Sequence, residues 1–153
     1  MEFRKKGNAP DLQKPHSLKP LAEGLTTAPP ASAVRAKGKV LVAEDEALVM
    51  SVAKRIFSLV GDGVLPAETG RRALEVFREN PDISLIVLDF HLPDMRCGDL
   101  ISEIRSSGRD VRIIVYSGNL PGSMPEGADA LLSKPFTTVQ VLEAVNAAFL
   151  AGR

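Results

Sequence analysis

The chain has 153 residues, 44% of them hydrophobic and 25% charged, with a formal net charge of zero at pH 7. This length is sufficient for one domain with a substantial core. The neutral balance gives no indication of a nucleic-acid or anionic-membrane partner. No apolar run approaches the roughly 20 residues that span a bilayer, and we expect no signal peptide. The single cysteine, Cys97, excludes an internal disulfide and is typical of a cytoplasmic protein.

The composition changes near residue 38. Residues 1–38 show no helical or strand periodicity and contain five prolines, Pro10, Pro15, Pro20, Pro29 and Pro30. This pattern predicts a flexible tail over 1–38, followed by a folded domain over 39–153. The tail carries seven basic and three acidic residues. A solvated leader is the simpler interpretation of it, and a basic docking arm is the alternative.

From residue 39, short apolar runs alternate with stretches of helical periodicity. A strand over 39–43 precedes a helix over 46–60, whose apolar pattern comprises Leu48, Val49, Val52, Ile56, Leu59 and Val60. The second strand, over 64–67, contains Pro66, which predicts a position at or near a sheet edge because proline cannot donate to the ladder.

The alternation continues to the end of the chain. Thr69 is a candidate N-cap, and Thr137 with Gln140 forms a candidate capping box. The remaining predicted elements are strands over 83–88, 111–116 and 130–132 and helices over 71–79, 98–106 and 138–150. Strands that alternate with helices predict a parallel sheet covered by helices on both faces.

One connection departs from this alternation. Residues 118–127, between the fourth and fifth strands, contain three glycines and two prolines. Proline costs about 3 kcal/mol and glycine about 1 kcal/mol in a helix interior. The sequence therefore predicts a loop, or at most one turn, where a full helix would complete the pattern.

Acidic side chains follow two of the strands. Glu44 and Asp45 come directly after the first strand, and Asp89 comes after the third. The carboxyl ends of parallel strands meet at one edge of the sheet, where ligands bind in open α/β folds. Three carboxylates placed together repel one another unless a cation lies between them, and an all-oxygen site of this kind suits Mg²⁺.

Two further polar residues fall at the same edge, because Ser117 follows the fourth strand and Lys134 follows the fifth. A carboxylate nucleophile, a cation, an ammonium and a hydroxyl together form a set suited to phosphoryl chemistry. Taken singly, each residue has a simpler interpretation: Asp45 as a helix cap, Lys134 as a surface charge, and Ser117 as a turn residue. The bond from Lys134 to Pro135 can be cis, since this costs only about 0.5–1 kcal/mol.

Four stretches carry these polar residues: Val40–Glu46, Ile86–Met95, Tyr116–Gly118 and Lys134–Phe136. In sequence and spacing they resemble the receiver domains of two-component response regulators, over residues 39–150. The resemblance implies an α/β, flavodoxin-like fold with a doubly wound five-stranded parallel sheet in the order 2-1-3-4-5. In this chain the fourth helix of that fold is expected to be short or absent.

The resemblance also implies roles for the residues at the strand ends. Asp89 would accept a phosphoryl group from a phosphohistidine on a histidine kinase or a histidine phosphotransfer protein, in two-component phosphorelay signal transduction. Ser117 and Lys134 would bind the acyl-phosphate oxygens. The implied ligands of Mg²⁺ are Glu44, Asp45, Asp89 and the backbone carbonyl of His91. The protein would catalyse only its own phosphorylation and dephosphorylation, so we do not expect an enzyme.

Some features depart from the family pattern. Receivers usually carry an aromatic residue at the position of Leu131, and we expect no output domain after the sheet. A stand-alone receiver is the main hypothesis, and a degenerate receiver that binds a protein partner without phosphorylation is the alternative. A phosphohydrolase of the haloacid dehalogenase type would need Asp-x-Asp after the first strand, which the sequence Glu44-Asp45-Glu46 lacks. A homodimer, if formed, would use the first and last helices.

Overall fold

The computed structural model describes residues 34–151. This region contains five strands and four helices, which alternate except between the fourth and fifth strands. The elements are β1 (Lys39–Ala43), α1 (Ala47–Phe57), β2 (Val64–Ala67), α2 (Gly70–Glu79), β3 (Ile83–Asp89), α3 (Cys97–Ser106), β4 (Arg112–Ser117), β5 (Ala130–Ser133) and α4 (Thr138–Leu150).

The strands form one parallel sheet in the order β2-β1-β3-β4-β5. This confirms the predicted flavodoxin-like fold. The strand β2 lies at an edge, as Pro66 predicted, and Pro66 itself is exposed. Because β1 and β3 are adjacent at the centre, their carboxyl ends bring Glu44, Asp45 and Asp89 to the same place.

Each strand contributes side chains to two separate cores. In β1, Leu41 and Ala43 pack with the helices α2 and α3, whereas Val40 and Val42 pack with α1 and α4. This alternation follows from the two-residue period of a β-strand. The helices therefore cover both faces of the sheet, and the apolar runs in the sequence are buried on both sides.

The apolar pattern used to predict α1 does not by itself identify the buried face of the helix. Leu48 is 85% exposed and Val52 is 48% exposed, whereas Met50, Ala53 and Phe57 face the sheet. The helix carries apolar residues around most of its circumference, so periodicity alone does not determine its rotation. The predicted extension to residue 60 also fails, since the helix ends at Phe57.

The predicted helix caps are confirmed. The Thr69 hydroxyl accepts a hydrogen bond from the Arg72 amide at 3.0 Å. Thr137 and Gln140 form the reciprocal capping box, with the Gln140 amide 3.2 Å from the Thr137 hydroxyl and the Thr137 amide 2.9 Å from the Gln140 side chain. Each cap satisfies backbone N–H groups that have no partner inside the helix.

A second cap on α2 comes from outside the helix. Asp94, in the loop between β3 and α3, accepts hydrogen bonds from the amides of Gly70 at 2.7 Å and Arg71 at 2.9 Å. Slight burial would raise the pKa of the Asp94 carboxyl, but the Arg71 and Gly70 amides outweigh it and lower the pKa. The contact therefore attaches the loop that follows Asp89 to the start of α2.

We expect Asp94→Ala to lower the free energy of unfolding by about 1 kcal/mol at neutral pH, the usual cost of losing a helix cap. Because the Asp94 pKa is lowered by folding, the stabilisation is complete at neutral pH and is lost as the pH falls through that pKa. Urea unfolding at neutral and acidic pH measures the difference. The control is Asp110→Ala, whose side chain is 80% exposed. A deficit that is equal at both pH values would contradict this account.

Residues 34–38 lie against the domain without regular secondary structure. Ala36 is 3% exposed and its amide donates to the Val60 carbonyl at 2.7 Å. The Val34 amide donates to the Asn146 side chain at 3.0 Å. The predicted tail falls largely on residues 1–33, which lie outside the described region, so its flexibility stays a prediction. Among residues 34–151, no helix is long and apolar enough to cross a membrane.

The connection between β4 and β5, residues 118–129, contains no helix, as its glycines and prolines predicted. Its second half is attached to α3 through Arg105. The guanidinium donates to the Gly127 carbonyl at 2.7 and 3.0 Å, to the Val111 carbonyl at 2.7 Å and to the Asp129 carboxylate at 2.8 Å. Gly127 has φ of +86°, and a Cβ there would lie 2.7 Å from the Ile101 side chain, so this position requires glycine.

Candidate phosphoacceptor site

The ends of β1 and β3 bring together the three predicted carboxylates. One carboxylate oxygen from each of Glu44, Asp45 and Asp89 lies within 4.8 Å of the others. Glu44 is 1% exposed and Asp89 is 4% exposed, whereas Asp45 is open to solvent. The site is therefore a solvent-accessible pocket in which two of the three carboxylates lie in a poorly hydrated environment.

Lys134 reaches this cluster from the end of β5. Its ammonium donates to Glu44 Oε2 at 2.8 Å and to Asp89 Oδ2 at 3.0 Å. Its side chain is only 16% exposed, so the simpler interpretation of Lys134 as a surface charge is wrong. The backbone holds it in place, because the Lys134 amide donates to the Ser117 carbonyl at 2.8 Å. The peptide bond from Lys134 to Pro135 is cis.

Glu44 has hydrogen-bond donors on both carboxylate oxygens. Oε1 accepts the Glu46 amide at 2.9 Å. Oε2 accepts Lys134 and also the hydroxyl of Tyr116 at 2.7 Å. Sequence reasoning did not assign a function to Tyr116. A signal was present, because a tyrosine inside an aliphatic buried strand needs a partner for its hydroxyl.

Asp45 does not cap α1, so that simpler interpretation is also wrong. The N-cap of α1 is Glu46, which makes no side-chain capping bond. Asp45 is exposed at the rim of the cluster. Its carboxylate thus belongs to the acidic cluster rather than to the helix terminus.

Ser117 lies at the same edge, but its hydroxyl is directed toward the chain that follows. It donates to the Asn119 carbonyl at 2.9 Å and accepts the Asn119 amide at 3.1 Å. In this arrangement Ser117 behaves as the turn residue of the simpler interpretation. To donate to a group on Asp89, the hydroxyl would have to release Asn119.

His91 contacts Asp89 through its backbone. The His91 amide donates to Asp89 Oδ1 at 3.0 Å. Its imidazole is exposed and lies edge-on to the Phe90 ring, with ring centroids 4.9 Å apart. Both Asp89 oxygens therefore have a donor, one from His91 and one from Lys134.

The two buried carboxylates that share Lys134 differ in their electrostatics. Burial would raise the pKa of Glu44, but the hydrogen bonds from Lys134 and Tyr116 outweigh it and lower that pKa. For Asp89, burial dominates and the Glu44 charge adds to it, so the pKa is raised despite the His91 and Lys134 bonds. Glu44 is the more firmly ionised of the two because it has the additional Tyr116 donor.

The other titratable groups near the cluster support the same picture. Burial would lower the pKa of the Lys134 ammonium, but Glu44 and Asp89 outweigh it and raise that pKa, so Lys134 stays charged. Burial and the nearby Asp89 charge raise the pKa of the Cys97 thiol to about 11. Cys97 is thus a protonated, buried thiol, which is typical of an unreactive structural cysteine.

The fold and this cluster agree with the comparisons to known proteins. The family model of the response regulator receiver domain matches residues 40–146, and the chain belongs to that family. The chain is 31% identical over 113 residues to the chemotaxis protein CheY1 of Helicobacter pylori, covering 69% of this chain and 90% of CheY1. It is 33% identical over 135 residues to the alkaline phosphatase synthesis transcriptional regulatory protein SphR of Synechococcus elongatus. That match covers 78% of this chain and 51% of SphR, so the chain spans about half the length of that relative.

Solved structures show the same architecture. A response regulator receiver domain from Clostridium thermocellum superposes with a TM-score of 0.65 at 29% identity, covering 72% of this chain and 93% of that one. The CheX–CheY–BeF₃–Mg complex from Borrelia burgdorferi matches with a TM-score of 0.67 at 23% identity, covering 74% and 90%. The second similarity supports the fold alone.

Proposed function

We propose that this chain is a stand-alone signalling protein of a two-component phosphorelay, and that Asp89 accepts the phosphoryl group. The observation that carries the proposal is the arrangement around Asp89. Its carboxylate lies at a strand end, holds the Lys134 ammonium at 3.0 Å, and is accompanied by the carboxylates of Glu44 and Asp45. These groups provide a nucleophile and positive charge at one solvent-accessible edge.

The transfer proceeds by attack of an Asp89 carboxylate oxygen on the phosphorus of a phosphohistidine. The new P–O bond forms as the P–N bond breaks, and the electron pair of the P–N bond returns to the imidazole nitrogen. Hydrolysis reverses the modification, because water attacks the phosphorus, the bond from phosphorus to Asp89 breaks, and inorganic phosphate leaves with the carboxylate restored. No other substrate is turned over, so the chain acts on itself and is not an enzyme in the usual sense.

The acidic cluster fits a divalent cation. Three carboxylates face a single ammonium, and one oxygen from each lies within 4.8 Å of the others, so the donor set is all oxygen and carries excess negative charge. Glu44, Asp45, Asp89 and the His91 backbone carbonyl would hold Mg²⁺. When bound, Mg²⁺ neutralises negative charge on transferring phosphoryl oxygens.

Lys134 and Ser117 complete the proposed mechanism. The Lys134 ammonium, already beside Asp89, pairs with one phosphoryl oxygen after transfer. The Ser117 hydroxyl leaves Asn119 and donates to another phosphoryl oxygen. Since Ser117 now bonds both the amide and the carbonyl of Asn119, its movement would alter the start of the loop over 118–129.

The proposed partners follow from this chemistry. The donor is a phosphohistidine on a histidine kinase or a histidine phosphotransfer protein, and both partners act in the cytoplasm. The output is carried by a protein partner rather than by nucleic acid or a membrane. The exposed apolar residues Leu48, Val52 and Val139 lie on the first and last helices, which are the surfaces we propose for any homodimer.

The test is the intact-protein mass after incubation with acetyl phosphate and Mg²⁺. We expect the wild type to gain one phosphoryl group and Asp89→Asn to gain none. Asp110→Asn is the matched control, since Asp110 is exposed and lies before β4, and it should be labelled like the wild type. A chelator should prevent labelling. If the folded wild type binds Mg²⁺ but is labelled by neither acetyl phosphate nor a phosphohistidine protein, the proposal is wrong.

A second candidate function is a receiver that binds a partner without phosphorylation. The observations that favour it are Leu131 in place of the usual aromatic residue and the absence of a helix over 118–129. Amide chemical shifts of that loop with and without beryllofluoride and Mg²⁺ separate the two candidates. Shifts that stay unchanged while the phosphoryl analogue is bound would favour the phosphorylation-independent module.

A further inference from the structure

Tyr116 is the buried polar group near the site that the proposed mechanism does not use. Its ring is fully buried at the end of β4. The hydroxyl donates to Glu44 Oε2 at 2.7 Å, across the sheet from β4 to the end of β1. Packing fixes the ring, since the Phe136 ring lies edge-on to it with centroids 5.9 Å apart.

Glu44 Oε2 thus accepts two hydrogen bonds, and of the two donors only Lys134 also bonds Asp89. The Lys134 ammonium also bonds Asp89 Oδ2, and it lies 4.5 Å from the centroid of the Tyr116 ring. Because Lys134 bridges the two carboxylates, we expect it to leave Glu44 when it turns toward a phosphoryl group on Asp89. A carboxylate that is 1% exposed pays a large desolvation penalty when it loses a donor and gains no other.

We propose that Tyr116 is a positioning residue for phosphorylation of Asp89: it holds Glu44 Oε2 when Lys134 turns from Glu44 to the phosphoryl oxygens. This inference rests on the proposed function. Tyr116 keeps the Glu44 carboxylate in one orientation throughout the cycle, so Lys134 is free to change partners. The aromatic ring beneath the ammonium adds a favourable surface for that movement.

Tyr116→Phe keeps the ring and removes only the hydroxyl. At saturating Mg²⁺ we expect the rate of phosphorylation by acetyl phosphate and the affinity for beryllofluoride each to fall about tenfold, the effect of one hydrogen bond to a buried charge. We expect the dissociation constant for Mg²⁺ to change by less than about threefold, because in the unphosphorylated protein Lys134 still donates to Glu44 Oε2. If Tyr116 only stabilised the fold, the phosphorylation rate and the beryllofluoride affinity would not fall while Mg²⁺ affinity is kept, at temperatures well below unfolding.

The matched control is Ser84→Ala. Ser84 lies on β3, and its buried hydroxyl has no hydrogen-bond partner among residues 34–151. This variant also loses one buried hydroxyl, and it should be phosphorylated at the wild-type rate. If the wild type is not labelled, the proposed function fails. If the wild type is labelled and Tyr116→Phe matches it in rate and beryllofluoride affinity, only the inference about Tyr116 fails.

A stability cycle tests the sharing of Glu44 without any phosphoryl donor. Unfolding of the wild type, Tyr116→Phe, Lys134→Met and the double variant is measured at neutral pH without metal. Each single variant leaves one donor on Glu44 Oε2, and the double variant removes both. If the two effects were independent, the factors by which the single variants lower the folding equilibrium constant would multiply. We expect the folding equilibrium constant of the double variant to be about tenfold lower than that product predicts. Additive losses would overturn the proposal.

Discussion

Replacing Lys134 with methionine is expected to lower the free energy of unfolding by about 3 kcal/mol at neutral pH without metal. The ammonium is the cation that the structure places between Glu44 and Asp89, whose side chains are 0% and 5% exposed. Its removal leaves two buried carboxylates facing each other. Saturating Mg²⁺ should recover part of the loss, because the divalent cation would supply positive charge to the same carboxylates.

Urea unfolding with and without Mg²⁺ measures this effect. Lys39→Met is the matched control, because Lys39 forms an ion pair with Asp82 in which both side chains are substantially exposed. Phosphorylation of Lys134→Met at saturating Mg²⁺ should fall by about 10²-fold through loss of charge stabilisation. The account is wrong if Lys134→Met is as stable as the Lys39→Met control. It is also wrong if Mg²⁺ does not change the difference in unfolding free energy between Lys134→Met and the wild type.

The second large effect on stability is expected at Arg105, which lies in the last turn of α3. Arg105→Met should cost about 3 kcal/mol, since Asp129 is 2% exposed and would lose its guanidinium partner. The carbonyls of Gly127 and Val111 would lose donors as well. Hydrogen exchange should become faster in the second half of the loop over 118–129, because Arg105 attaches that half to α3.

Thermal unfolding and hydrogen exchange by mass spectrometry test this prediction together. Arg72→Met provides the control, since Arg72 pairs with Glu75 on the surface, with both side chains about half exposed. That variant should unfold at the same temperature as the wild type, because an exposed ion pair contributes little. If Arg105→Met resembles Arg72→Met in both measurements, the loop does not depend on Arg105.

Much of the fold could be predicted because local and global signals agree. The β-branched runs define β1 and β3 to within one residue, and the parallel arrangement follows from the helices between them. The three carboxylates could be placed together from topology alone, since strand ends determine their position. The same argument placed Lys134 at the site, although its bonds to both Glu44 and Asp89 depend on the folded position of its side chain.

Other features depend on three-dimensional packing that periodicity does not encode. The face of α1 that packs on the sheet could not be predicted from the sequence, because Leu48 and Val52 are as apolar as the buried Phe57. The direction of the Ser117 hydroxyl could not be predicted either, because it rotates about a single bond, and here it donates to the Asn119 carbonyl. The link from Tyr116 to Glu44 joins residues 72 positions apart on non-adjacent strands, and only the assembled sheet brings them into contact.

The position of Val34 and Ala36 on the domain has a practical consequence for experiments with immobilised protein. Val34 bonds Asn146 and Ala36 bonds Val60, so this segment lies at the amino ends of the strands, whereas Asp89 lies at their carboxyl ends. The two edges are separated by the length of β1, which is five residues, or about 15 Å. A biosensor anchor attached at the edge of the domain that carries Val34 should therefore leave Asp89 accessible to a soluble protein.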